Sequence, residues 1–233
     1  MVMRKQIHYV VGLGILAAFG LPALAQSPPT PYPARAPIAR YLIPNQSAEI
    51  ALARSAAPAS ISAAAEVMVL GKDGFRVAVP GTNHYVCLVE RSWDAAIGDP
   101  NFWNPSIRGP DCFNAAAART YLPIVLKKAE LALAGKSKAQ IKAAMGAAFD
   151  RGTLPSQQAG AICYMLSKSQ YVDDGARNWH PHLMIIVPLG TDRAWGANLK
   201  GSPILATDDA SDRLTIIMIP VAHWSDGTPD VPR

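Results

Sequence analysis

Charge is in short supply in this sequence: Asp, Glu, Lys and Arg make up 17% of 233 residues, while half of the chain is apolar. That balance excludes a disordered, solvated chain, which needs few apolar residues and a high net charge. Basic residues outnumber acidic ones by 22 to 17, and Arg4 and Lys5 fall in a leader, so the remainder carries an excess of three. The positives are scattered, and no nucleic-acid partner is expected. After the first 25 residues there is no apolar run of about 18 residues, so no transmembrane helix is expected there. The common reaction signatures are missing as well, with no G-x-S-x-G and no H-E-x-x-H. Gly12-Leu13-Gly14 begins like a dinucleotide loop but lies in the leader, and Gly135-Lys136-Ser137 lacks the first P-loop glycine, whose place holds Glu130. The acidic run at 208–212 lacks the glycine and the alternating ligands of a calcium loop.

What is present at the start is a leader. Arg4 and Lys5 precede an apolar stretch over 10–23, and Ala23-Leu24-Ala25 supplies the small residues a signal peptidase accepts. Residues 1–25 are therefore expected to be a signal peptide cleaved near Ala25, and the protein to be periplasmic or secreted. Export makes Cys87, Cys112 and Cys163 candidates for oxidation. A Cys87–Cys112 bridge is favoured, with Cys87–Cys163 as the alternative, and Cys163 otherwise reads as a buried inert thiol.

Residues 26–45 hold six prolines and read as an extended tether. A globular domain over 46–228 follows, then a tail over 229–233. A short helix over 48–56, capped by Ser47, precedes strands over 66–70, 75–79 and 85–89, with a hairpin turn at Gly71-Lys72-Asp73-Gly74. Residues 92–113 read as irregular. Asn114 caps a helix that Pro123 kinks or restarts, Gly135 ends it, and Ser137-Lys138-Ala139-Gln140 fits a capping box for the next. Strands over 161–167, 183–187 and 214–221 close the domain. Strands grouped before and after a helical block indicate α+β: an antiparallel or mixed sheet of about six strands with a helical hairpin inserted between two strand groups. The lysines at 127, 128, 136, 138 and 142 fall on that hairpin and read as a solvated face.

Two constellations carry chemistry. Trp93, Trp103, Trp179, Trp195 and Trp224 all stand in expected loops, where indole can serve as a flat pad for a small molecule or an envelope polymer. Arg91, Arg177 and Arg193 lie near the same loops and could hold an anionic group. The ordinary alternative is that tryptophan pins long loops to the core. The second constellation is His180-Pro181-His182 at the entrance of a strand. Residues i and i+2 share a face, so both imidazoles could meet a zinc ion, with His84, His223 or an acid such as Asp173 as a third ligand. Such a zinc would support hydrolysis; two unrelated histidines are the bland alternative.

The segments Val86-Cys87-Leu88-Val89-Glu90-Arg91-Ser92-Trp93, His180-Pro181-His182-Leu183-Met184 and Trp195-Gly196-Ala197-Asn198-Leu199 resemble a group of exported bacterial proteins to which no function is attached. The resemblance covers most of 46–228 and implies one exported domain, with no catalytic residues. Three readings follow: an exported binding protein using the Trp-lined loops, a zinc-dependent hydrolase built on His180 and His182, and a structural or assembly partner in the cell envelope. No catalytic residue can be named, and the balance leans toward a non-enzyme.

Overall fold

The computed structural model describes residues 31–175 and 178–231; the expected signal peptide lies outside them. Eight strands form one mixed sheet in the order β2-β1-β3-β4-β5-β6-β8-β7. Strands β1 (Glu66–Gly71) and β2 (Gly74–Val79) make the expected hairpin, and β1 pairs in parallel with β3 (Val86–Glu90). All other pairings are antiparallel, through β4 (Gly109–Phe113), β5 (Ile162–Met165), β6 (His182–Pro188), β7 (Leu205–Asp209) and β8 (Leu214–Pro220). The fold is α+β, with helices α3 (Ala115–Thr120), α4 (Leu122–Leu133) and α5 (Lys138–Asp150) inserted between β4 and β5.

Two strands exceed the six read from the sequence. β4 lies inside the stretch expected to be irregular: Pro110 breaks the usual strand pattern, and all five of its residues are buried. β5 pairs with β4 only at Cys112 and Phe113, so Pro110 needs no second ladder partner. β7, with the polar sequence Leu-Ala-Thr-Asp-Asp, is an edge strand.

Helix boundaries follow local chemistry. Asn45, two residues ahead of the expected Ser47, caps α1 (Gln46–Arg54) by accepting from the Ala48 N–H. The four-residue α2 (Ala59–Ser62) follows Pro58. Pro123 separates α3 from α4 at Tyr121, Gly135 takes a left-handed φ of 77° just past α4, and Ser137 and Gln140 form the capping box of α5.

Alternation along the strands gives the sheet two covered faces. Leu88, Phe113, Cys163, Met184 and Ile186 face α4 and α5 in the main core. Val67, Cys87, Val89 and Cys112 face α1. Cys87 and Cys112 are directly paired across β3 and β4 and form a disulfide, whereas Cys163 is free and buried. Cys163 packs in the other core, on the opposite face of the sheet, which corrects the alternative Cys87–Cys163 pairing. From residue 31 onward the expected tether lies against the domain: Tyr41 is fully buried, stacks on Trp93 at 4.8 Å and donates to the Trp103 carbonyl. No helix of the described residues is long and apolar enough to cross a membrane.

The disulfide joins residues 25 apart. In the chain-entropy picture, Cys87→Ser with Cys112→Ser should lower unfolding stability by about 3–4 kcal/mol. Denaturant titration of the oxidised chain and the double variant checks this.

Candidate functional site

Strand β3 ends at Glu90, and the chain turns at Ser92–Asp94, where the Arg91 N–H donates to Asp94 Oδ2 at 2.8 Å. This turn brings Glu90, Ser92 and Asp94 to one end of a cavity of about 190 Å³. Ile107, Met165, Met184 and Ile216 give it apolar walls, with the Tyr121 ring between α3 and α4. Half-buried Ala95, Asp99, Asn101 and Val172 form its solvent side. Gly109 sits opposite Glu90 in register, and a Cβ there would lie 3.2 Å from Met165 Cε and 3.5 Å from Glu90 Cβ. Glycine therefore leaves room for both side chains beside the cavity.

Two buried cations frame the site. Arg91 pairs with Glu49 of α1 at 2.7 Å and donates also to the Tyr41 and Val89 carbonyls. Lys128, on α4, is buried: its ammonium meets Asp212 at 2.7 Å, the Ala95 carbonyl at 2.8 Å and the Asp94 carbonyl at 3.1 Å, with Asp209 at 3.9 Å. This corrects the reading of Lys128 as part of a solvated face. Lys138 also turns inward, donating to the Asp99 carbonyl and lying 5.0 Å from the centre of the Phe102 ring.

The carboxyl groups outnumber these cations. Burial pushes Glu90 well above the usual carboxylate range, and Asp111 and Asp94 push it further. Asp111 is fully buried and likewise held well up by desolvation. The Cys163 thiol and the N–H groups of Cys112 and Tyr164 favour its charge, but neither oxygen completes a hydrogen bond. Burial raises Asp94 to about 7 and Asp212 to about 6, against the pull of Lys128 on both. Tyr121 and Cys163 are driven up by desolvation and by these same acids, so both remain protonated donors near neutrality. Glu90 Oε1, Asp94 Oδ1 and Ser92 Oγ have no hydrogen-bond partner. An unpaired buried acceptor costs about 1–3 kcal/mol.

The structure distributes the sequence-derived candidates differently. Trp93 and Trp103 are core side chains, and Trp224 is buried in the turn before Thr228. These three indoles are loop pins and not open pads. Trp179 is half-buried, edge-on to His182 at 4.6 Å, and Trp195 is exposed. Arg91 lines the cavity but is committed to Glu49, Arg193 is exposed, and Arg177 lies outside the described residues. His182 is buried with its Nδ1 against the His180 carbonyl, while exposed His180 meets Asp230 at 2.5 Å and His223 sits in an isolated bridge with Pro229. Among the described residues, no group of three or more His, Cys, Asp or Glu is arranged to hold a metal ion. Glu90, Ser92, Asp94, Asp111, Tyr121 and Lys128 were not singled out as a site by the sequence. The available signal was a carboxylate ending the apolar run Val-Cys-Leu-Val-Glu, with an acid four residues on. Comparison with protein-family models, curated proteins and solved structures finds no match.

Removing Lys128 strands Asp212 without its close cation. Lys128→Met should cost about 3–5 kcal/mol, and adding Asp212→Asn should recover part of it, as read by urea unfolding. The raised carboxyls set a second expectation. An acid whose folded pKa exceeds its unfolded value binds more protons in the native state, so its contribution to stability falls as pH rises between the two values. The stability gain of Asp111→Asn over the wild type should therefore grow from about pH 4 upward, by at most about 1.4 kcal/mol per unit. Denaturation midpoints of both proteins across pH 4–9 measure it, and a gain that shrinks with pH would contradict the assignment.

Proposed function

We propose that this is an exported binding protein that takes up a small organic molecule in the cavity at the end of β3. The observation that carries the reading is a partly open, apolar-walled space of about 190 Å³ lined by Glu90, Ser92 and Asp94, residues that each carry a buried polar atom without a partner. A purely structural core would gain by filling such a space or pairing those atoms. An apolar cavity of about 150 Å³ accepts benzene, so this one suits a body of single-ring size. The leader and the Cys87–Cys112 bridge support residence in an oxidising compartment. Binding moves from the indole loops to this cavity because Trp93, Trp103 and Trp224 are buried.

Met165 and Met184 line the cavity and supply reporters. Titration with benzylammonium, benzyl alcohol and benzoate should shift their methyl resonances for at least one compound. Val172→Trp, which places a large ring at the half-buried rim, should abolish those shifts while the remaining spectrum stays native. Methyl resonances unmoved by all three compounds would refute the reading.

A further inference from the structure

We infer that the ligand is a compact organic cation, a primary ammonium on an apolar body of single-ring size, held by the acceptor oxygens of Glu90, Ser92 and Asp94. This inference rests on the small-molecule reading above and deepens it. Ser92 is 2% and Asp94 8% exposed, yet Ser92 Oγ and Asp94 Oδ1 have no partner, and both residues line the cavity with Glu90. Glu90 keeps partial exposure, which a side chain facing the cavity accounts for, while its Oε1 is buried and unpartnered. Arg91, the cation of the lining, is already spent on Glu49 and on the Tyr41 and Val89 carbonyls. Asp99, at the solvent side, has Oδ1 occupied by the Asn101 N–H at 2.6 Å.

Ligand charge follows from that inventory. An anion would meet Glu90 and Asp94 with no uncommitted cation to offset them. A neutral apolar molecule would leave the acceptors as it found them, each carrying its desolvation cost. A primary ammonium brings three donors and a positive charge, and hydrogen bonds between charged groups are about twice as strong as neutral ones. The walls of Ile107, Met165, Met184 and Ile216 would take the apolar body. The groups acting on Glu90 from the surrounding elements reinforce the choice: Asp111 from β4, Asp94 from the turn, Asp212 from the turn before β8, and Lys128 from α4. Tyr121 and Cys163 also feel Glu90 and stay protonated. Burial first, and then the neighbouring acids against one lysine, oppose ionisation of Glu90, and an arriving cation reverses that balance. Glu90 then ionises as the ammonium enters, and its proton passes to the solvent.

The test uses the full chain and three probes of one size: benzylammonium, benzyl alcohol and benzoate. Benzylammonium should bind at least about tenfold more tightly than benzyl alcohol, and benzoate should not bind. Calorimetry of the ammonium in phosphate and in Tris should give enthalpies that differ by the heat of buffer protonation, reporting proton release. Glu90→Gln with Asp94→Asn should bring the ammonium-to-alcohol preference below about threefold. Should that variant fail to fold, the probe comparison on the wild-type chain decides alone. Equal or tighter binding of the alcohol or of benzoate overturns the cation assignment and leaves the small-molecule reading standing. Binding by none of the three overturns both.

Discussion

Glu49, Glu90, Asp94, Asp209 and Asp212 converge on two buried cations, Arg91 and Lys128, with Asp111 acting on Glu90 from β4, and the arrangement of the domain answers to that shortage of positive charge. A buried ion costs several kcal/mol of desolvation unless it is paired and hydrogen-bonded. Each cation is therefore used as a multiple tie. Arg91 joins the end of β3 to α1 through Glu49 and to the N-terminal segment through the Tyr41 carbonyl. Lys128 joins α4 to the Ser92–Asp94 turn through two carbonyls and to the turn between β7 and β8 through Asp212. These ties position both helical layers relative to one end of β3. The carboxyls left over, Glu90 and Asp111, are pushed well above the usual carboxylate range, chiefly by burial.

The cavity is a consequence of the same constraint. Apolar side chains from β5, β6 and β8 could close over Glu90 only by removing the partial exposure that it keeps. Gly109 withholds the one Cβ that would crowd Glu90 and Met165 from the neighbouring strand. Tyr121 stands where Pro123 interrupts the helical block, so the ring that walls the site is placed by a break between α3 and α4. Helix packing, strand register and charge thus meet in a single location.

Local chemistry was readable from the sequence, and long-range chemistry was not. The β1–β2 turn, the Asn114 cap, the break at Pro123, the left-handed Gly135 and the Ser137–Gln140 box each depend on a few adjacent residues, and each is where the pattern places it. The Cys87–Cys112 pairing, favoured by the sequence as closing the loop that holds Trp93 and Trp103, forms as expected. Strand β4 escaped because Gly109, Pro110 and Asp111 resemble a loop, and only its neighbours β3 and β5 make it a strand. Lys128 was misread because a lysine on a helix is ordinarily solvated, and its partners Asp209 and Asp212 lie more than 80 residues away. The indoles misled in the opposite sense. Trp93 and Trp103 do stand outside the sheet and the α-helices, but their rings fold back to cover the core beside Tyr41 and Phe102.

The unsatisfied oxygens also bear on why such a site would persist. Buried ion pairs and lone carboxyls stabilise a fold less than apolar residues of the same shape, so an acidic core is a thermodynamic concession. Where every member of a polar network is satisfied, the concession can be explained by the fixed geometry it brings. Here Lys128 and Arg91 fulfil that role with nearly complete hydrogen bonding, but Glu90, Ser92 and Asp94 do not. Their free atoms belong to residues that line one open space, whereas Asp111, with both oxygens free on β4, is not part of that lining. The two sets call for different explanations. Asp111 is pushed well up by burial beside the Cys163 thiol, away from that lining. Glu90, raised first by its own burial and then by neighbouring acids, stands at the wall of a cavity, where a bound cation would favour its ionised form.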